Sequence, residues 1–242
     1  MASTAHTLRD QVALACRILA SEGYADLTLG HVSAREGVAG PIEIKRKGVS
    51  LAEVTSDDVL SFRLEDADQA LAAPEMHLEA VLHTEVYRAR PDVNAVLHGH
   101  PPFGTAFSAT SAKLELLTHD GVLFADGLPE FDETSALITN GNQGRAVAQA
   151  LGSSRALVMR NHGVLVVGKS VPWAVLTAVT LERALRLQAL ASSLGPLRPM
   201  PREMALSMVA EKYQDGLVSE YWSAWLRSLD RDDRTGLLGV GA

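Results

Sequence analysis

Val93-Asn94-Ala95-Val96-Leu97-His98-Gly99-His100 is a short apolar run that ends in two histidines and is stopped by Pro101-Pro102. Its length and the proline pair after it predict a buried strand. On a strand, residues two apart point to the same face. His98 and His100 therefore project side by side, and Gly99 leaves room between them. Two imidazoles so placed are either a solvated pair or half of a metal site, with metal–nitrogen distances of about 2.0–2.1 Å for zinc. A third histidine lies in Asn161-His162-Gly163, between the apolar runs Arg155 to Arg160 and Val164 to Val167. These runs read as a hairpin whose tight turn carries His162. Three histidines with an open position are the pattern of a catalytic rather than a closed structural site.

The helical spacing of Leu8, Val12, Ala15, Ile18 and Leu19 predicts a helix over Leu8 to Ser21, stopped by Gly23. Thr28 to Arg35 and Pro41 to Lys47 read as short strands around a Gly-rich turn. Val54 to Asp58 offers a helix cap ahead of Val59 and Leu60. Met76 to Arg88 is expected to be a helix, which would place Glu79 and His83 on one face. Phe103 to Ser111 begins another. Asn140 to Gly144 reads as a loop before a short helix, Arg145 to Leu151. Val171 to Leu194 is a long helix with Pro172 in its first turn. Met204 to Leu229 is expected to be one more helix, and residues 231–242 a loose tail. No repeat or linker divides the chain, so residues 1–242 read as one α/β domain with a mixed sheet.

At 242 residues, 47% hydrophobic and 21% charged, the chain can bury a core of useful size. No apolar run approaches the roughly 20 residues needed to span a bilayer. Met1 to Asp10 shows no secretory pattern, and a single cysteine, Cys16, suits a reducing compartment, so a cytoplasmic location is expected. The net charge of −7 argues against nucleic acid as partner. It also means that an anionic substrate needs local positive charge, which Lys45-Arg46-Lys47 could supply if it is not simply a solvated turn. Alternation would send Lys45 and Lys47 one way and Arg46 the other.

Four ordered pieces together resemble the class II aldolase/adducin family: Gly30-His31-Val32-Ser33-Ala34-Arg35, Glu79-Ala80-Val81-Leu82-His83, Arg90 through Pro101, and Arg160-Asn161-His162-Gly163-Val164. The resemblance runs from about Leu8 to Leu194. It implies a three-layer α/β/α fold with a central mixed, largely antiparallel sheet, and a homotetramer. It further implies one divalent cation per chain on His98, His100 and His162, with Glu79 as the acid/base residue. Zinc or manganese fits such a set, and iron or cobalt is compatible with it.

Sugar-phosphate members of the family grip phosphate with small hydroxyl and amide groups. Here His31 stands where an asparagine is expected, Lys47-Gly48 near a Thr-Gly turn, and His77-Leu78 where a serine pair would precede the glutamate. A phosphate cradle needs small residues and free N–H groups. The Gly-His-Val-Ser form resembles instead the decarboxylase branch, which acts on hydroxylated aromatic or related unsaturated dicarboxylic acids. On that reading His31, Ser33, Arg46, Lys47, His77 and, in Thr118-His119-Asp120-Gly121, His119 contact a small anionic substrate. An aldolase with an unusual acceptor and a non-catalytic adducin-like module remain the alternatives.

Overall fold

The computed structural model describes residues 6–24 and 26–235. In chain order the elements are α1 (Leu8–Ser21), β1 (His31–Arg35), β2 (Ile42–Lys45), β3 (Val59–Phe62), α2 (Ala67–Leu71), α3 (Val81–Ala89), β4 (Ala95–Gly99), α4 (Pro102–Ser108), β5 (Glu130–Phe131), α5 (Gly141–Leu151), β6 (Ala156–Met159), β7 (Gly163–Gly168), α6 (Val171–Leu194), α7 (Arg202–Lys212) and α8 (Asp215–Thr235). The strands form one seven-stranded sheet in the order β3-β2-β1-β4-β7-β6-β5. Every pairing is antiparallel except β5 with β6. This is the mixed, largely antiparallel sheet expected from the sequence.

Strand alternation divides the core into two layers. Val32 and Ala34 of β1, Ala95 and Leu97 of β4, and Val164 and Val166 of β7 face α1 and α6 in the larger core. Val96, Leu165 and Val167 face the opposite way, onto Leu82 and Val86 of α3 and Val147 and Leu151 of α5. Burying each such Val or Leu contributes about 1.5–3 kcal/mol. His98 alternates with Leu97, so it falls on the α3 side of a strand that is buried throughout. His31, Ser33 and Arg35 of β1 are buried as well, out of phase with Val32 and Ala34.

Local signals place several ends. Thr7 and Asp10 form a capping box that starts α1. Pro172 sits in the first turn of α6, where its missing N–H costs nothing. Other expectations need correction. The Thr55–Asp58 capping box closes only a 3-10 turn, Ser56–Asp58; Val59–Phe62 then pairs with β2 as an edge strand. The β-branched and aromatic ends of that segment, with Val59 buried, suit a strand better than a helix. Met76 to Ala80 is not helical. It turns, with His77 and Glu79 carbonyls accepting from Ala80 and Leu82 N–H, and the helix begins at Val81.

Asn140 is an N-cap rather than a loop residue: its side chain accepts from the Asn142 and Gln143 N–H groups, so α5 starts at Gly141. The expected single helix from Met204 to Leu229 is broken at Tyr213 and Gln214. The Tyr213 hydroxyl is spent on the His119 carbonyl, and Asp215 binds Trp173 and Lys169. The tail expected to be loose from residue 231 stays helical through Thr235; residues 236–242 lie outside the described residues, as do residues 1–5 of the N-terminal segment. No described helix is long and apolar enough to cross a membrane.

Candidate active site

The β6–β7 hairpin brings His162 to the end of β4. Asn161 takes a positive φ of 54°, which Asn tolerates better than most residues, and His162 N–H closes the turn on the Met159 carbonyl at 3.0 Å. Gly163 is required by contact: a Cβ there would lie 2.6 Å from the Gly99 carbonyl oxygen and 2.8 Å from the His100 ring. That close approach lets His98, His100 and His162 each offer a nitrogen with all three within 4.8 Å of one another. The His98 ring stands nearly perpendicular to the other two, and the His100 and His162 rings stack at 5.2 Å.

The hydrogen bonds of these rings define what is left over. His98 Nδ1 lies 3.0 Å from the Val164 carbonyl oxygen, so it carries the proton and Nε2 keeps its lone pair. That Nε2 is buried without a hydrogen-bond partner, as is His162 Nδ1. His100 Nδ1 donates to Asp26 at 2.5 Å, which likewise frees Nε2. Burial pushes the His98 imidazole down to about 3, against the pull of Glu79, so the ring is neutral near pH 7. A neutral imidazole with an unused lone pair, beside one ring held by a carboxylate and another with an unpartnered nitrogen, is the kind of donor set a divalent cation takes. The residues present therefore fit a metal.

Glu79, in the turn ahead of α3, completes the group. Its Oε1 accepts the Ile138 N–H at 2.8 Å, and Oε2 lies 3.7 Å from His98 Nε2 and 3.5 Å from His162 Nε2. Burial works to raise its pKa, but His162, His98 and the Ile138 N–H outweigh it, and the net shift is downward. Glu79 precedes the helix rather than lying in it, while His83, four residues on, is inside α3. His83 turns to β1, where its ring bonds His31 and Ser33.

A cavity of about 270 Å³ opens beside this group. His31, His77, Glu79 and His100 line its polar side, with Lys47 and the Gly30 and Gly48 backbones, while Leu29, Leu78 and Leu137 line the rest. Of the residues singled out from the sequence, His98, His100, His162 and Glu79 come together, and His31, His77 and Lys47 reach the cavity. Three do not. Ser33 lies behind His31, bonded to His83 and Tyr87. Arg46 turns away to pair with Asp58 at 2.8 Å. His119 is exposed and lends its carbonyl to Tyr213.

The basic turn splits in the sense alternation predicts, with Arg46 apart from its two neighbours: Lys47 lines the cavity, and Lys45, fully buried, bonds the Thr28 and Arg46 carbonyls and His77 Nε2. Asp26 and the Ile138 N–H were not singled out. Asp26 is 74 residues from His100, and no local pattern links them. A larger cavity of about 390 Å³ near Trp173 also carries charge, but its Arg90, Arg155 and Lys169 are engaged by Asp92, Asp126 and Asp215.

Residues 10–189 match the model of the Class II Aldolase and Adducin N-terminal domain. A 3,4-dihydroxyphthalate decarboxylase of Arthrobacter keyseri is 32% identical over 80% of this chain and 82% of its own length. A 4-hydroxy-3-prenylphenylpyruvate oxygenase/4-hydroxy-3-prenylbenzoate synthase of Streptomyces roseochromogenus subsp. oscitans is 37% identical over 51% of this chain, and the match spans only 45% of that relative. An L-fuculose phosphate aldolase of Methanocaldococcus jannaschii is 29% identical over 72% of this chain and 92% of its own. Among solved structures, an aldolase II superfamily protein from Pseudomonas syringae superposes with a TM-score of 0.80 at 26% identity, covering 93% of this chain and 92% of the other.

Proposed function

This chain belongs to the class II aldolase and adducin family, and from that premise we propose that it is a metal-dependent decarboxylase of a hydroxylated aromatic, or related unsaturated, dicarboxylic acid. The observation that carries this reading is the cavity wall. Leu29, Leu78 and Leu137 offer apolar surface to a flat ring, and His31, His77 and Lys47 offer donors to carboxylates. Of the hydroxyls and small residues that a phosphate cradle uses, Thr28, Gly30 and Gly48 line the cavity, and no described serine does. The similarity to a dihydroxyphthalate decarboxylase over most of both chains supports the same choice.

His98, His100 and His162 would hold a divalent cation, zinc or manganese, with Glu79 beside it. Such a cation, when bound, supplies a Lewis acid that draws electron density from the oxygen next to the breaking bond. The remaining work falls to the chain. Asp26 and the Val164 carbonyl orient two of the rings. Ile138 N–H pins one oxygen of Glu79 and leaves the other facing the histidines.

A substrate carboxylate arriving beside Glu79 raises its pKa and favours uptake of a proton. When the carbon–carbon bond breaks, carbon dioxide leaves and its electron pair stays on the ring carbon. Glu79 then protonates that carbon and returns to carboxylate. We further propose a homotetramer and a cytoplasmic location.

The second reading, aldol cleavage of a sugar phosphate, is favoured by the match to the fuculose phosphate aldolase over 92% of that enzyme and 72% of this chain. A direct assay separates the two. Metal-loaded protein is incubated with hydroxyphthalates and with fuculose phosphate, and carbon dioxide and aldehyde are measured side by side. Carbon dioxide release, with deuterium from heavy water on the vacated carbon, is the expected result. Aldehyde alone would transfer the assignment to aldolase.

A further inference from the structure

We infer that a hydrogen-bonded relay, Tyr87–Ser33–His83–His31, fixes His31 as an N–H donor that receives an oxyanion of the substrate and denies its lone pair to a cation. The inference follows from counting protons along buried contacts. The Tyr87 side chain is fully buried, and its hydroxyl proton has one acceptor in reach among the described residues, Ser33 Oγ at 2.8 Å. The Val96 N–H beside the phenol oxygen is a donor and cannot take that proton. Tyr87 therefore donates to Ser33. The opposite direction would strand a phenolic proton in the interior without a partner.

Ser33 has one proton of its own, and its other partner is His83 Nδ1 at 2.6 Å. His83 Nδ1 is thus an acceptor, and its proton sits on Nε2, which lies 2.6 Å from His31 Nδ1. His31 Nδ1 must accept, so the proton of His31 is on Nε2, the nitrogen left to face the cavity. A second proton on His83 would not alter this, because its Nε2 would still donate.

The consequence is chemical. His31, Glu79 and His98 bring one ligand-type atom each within 4.8 Å of one another, which by position alone resembles a second cation site. A protonated Nε2 cannot ligate a cation. It can bind a carboxylate or phenolate oxygen, whatever bond is broken nearby. His83, Ser33 and Tyr87 are then positioning residues, acting on the substrate only through His31. The oxyanion as ligand rests on the substrate class proposed above; the tautomer does not.

Nitrogen-15 NMR of the histidine rings in zinc-loaded protein, without substrate, reads the tautomers directly. The expected pattern is Nε2–H on both His31 and His83. Nδ1–H on His31, a His83 ring without Nε2–H, or two cations per chain by elemental analysis, would overturn the inference. A chain that proved to be an aldolase could still show the pattern, and a decarboxylase could lack it, so the two failures are distinguishable. Phthalate, an aromatic dicarboxylate without the reactive hydroxyl, then serves as probe. Its binding should shift the His31 Nε2–H resonance and weaken about tenfold in His31→Ala, as for loss of one hydrogen bond to a charged group. His31→Gln, which keeps an N–H donor, should recover part of the loss, with one zinc per chain in both variants. Equal phthalate affinity in wild type and His31→Ala would contradict the donor role.

Discussion

Two groups of buried histidines sit against each other on the α3 side of the sheet, with the His31 and His98 ring centroids 5.2 Å apart. In one group, His83 spends both nitrogens on neighbours, Ser33 and His31. In the other, His98 and His162 each keep a buried nitrogen without a partner. One ring of each group, His83 and His98, is held neutral by burial, each pushed down to about 3. What separates them is therefore the number of lone pairs left over, and not charge or depth. A satisfied imidazole braces the structure; an orphaned one, costly to bury, is tolerated where a ligand completes it.

The largest expected effect tests the orphaned group. His98→Ala should drop the cation content from near one per chain to near zero, with the fold retained by circular dichroism. Full occupancy by elemental analysis in the triple alanine variant of His98, His100 and His162 would place the metal elsewhere.

Next comes Glu79→Gln, which keeps shape but cannot exchange a proton. Turnover should fall by ~10²–10⁴-fold while cation content is unchanged. A variant with near wild-type kcat would remove Glu79 from proton transfer.

For the satisfied group, His83→Ala should leave His31 and Ser33 short of partners and open a cavity, costing about 2–4 kcal/mol in urea unfolding of the metal-free protein. Cation content should not change. If cation content fell as it does in His98→Ala, the two groups would be one. The smallest effect is expected from Arg46→Ala. Its ion pair with Asp58 is partly exposed and worth no more than about 1 kcal/mol. The KM should stay within about twofold, because the side chain points away from the cavity; a large rise in KM would show that Arg46 reaches the substrate after all.

Much of this was legible in sequence because it rests on periodicity and local turns. The His98-x-His100 spacing on an apolar strand, the hairpin that carries His162, and the limits of α1 and α6 all follow from contacts within a few residues. Local reading failed where distant partners compete for a segment. Met76 to Ala80 has helical composition but turns, and Glu79 reaches Ile138, 59 residues away. Alternation separates Arg46 from Lys47, but only the tertiary structure shows that Asp58 takes Arg46 while Lys47 reaches the cavity.

The sequence by itself determined the strand and turn histidines, the sheet-and-helix alternation and the absence of a serine pair ahead of Glu79, since these depend on residue type and spacing. Tertiary structure alone decided which nitrogens remain free. A lone pair is unused only when every neighbour has been counted, and those neighbours, Asp26 for His100, Val164 for His98 and Ser33 for His83, come from segments brought together by the sheet.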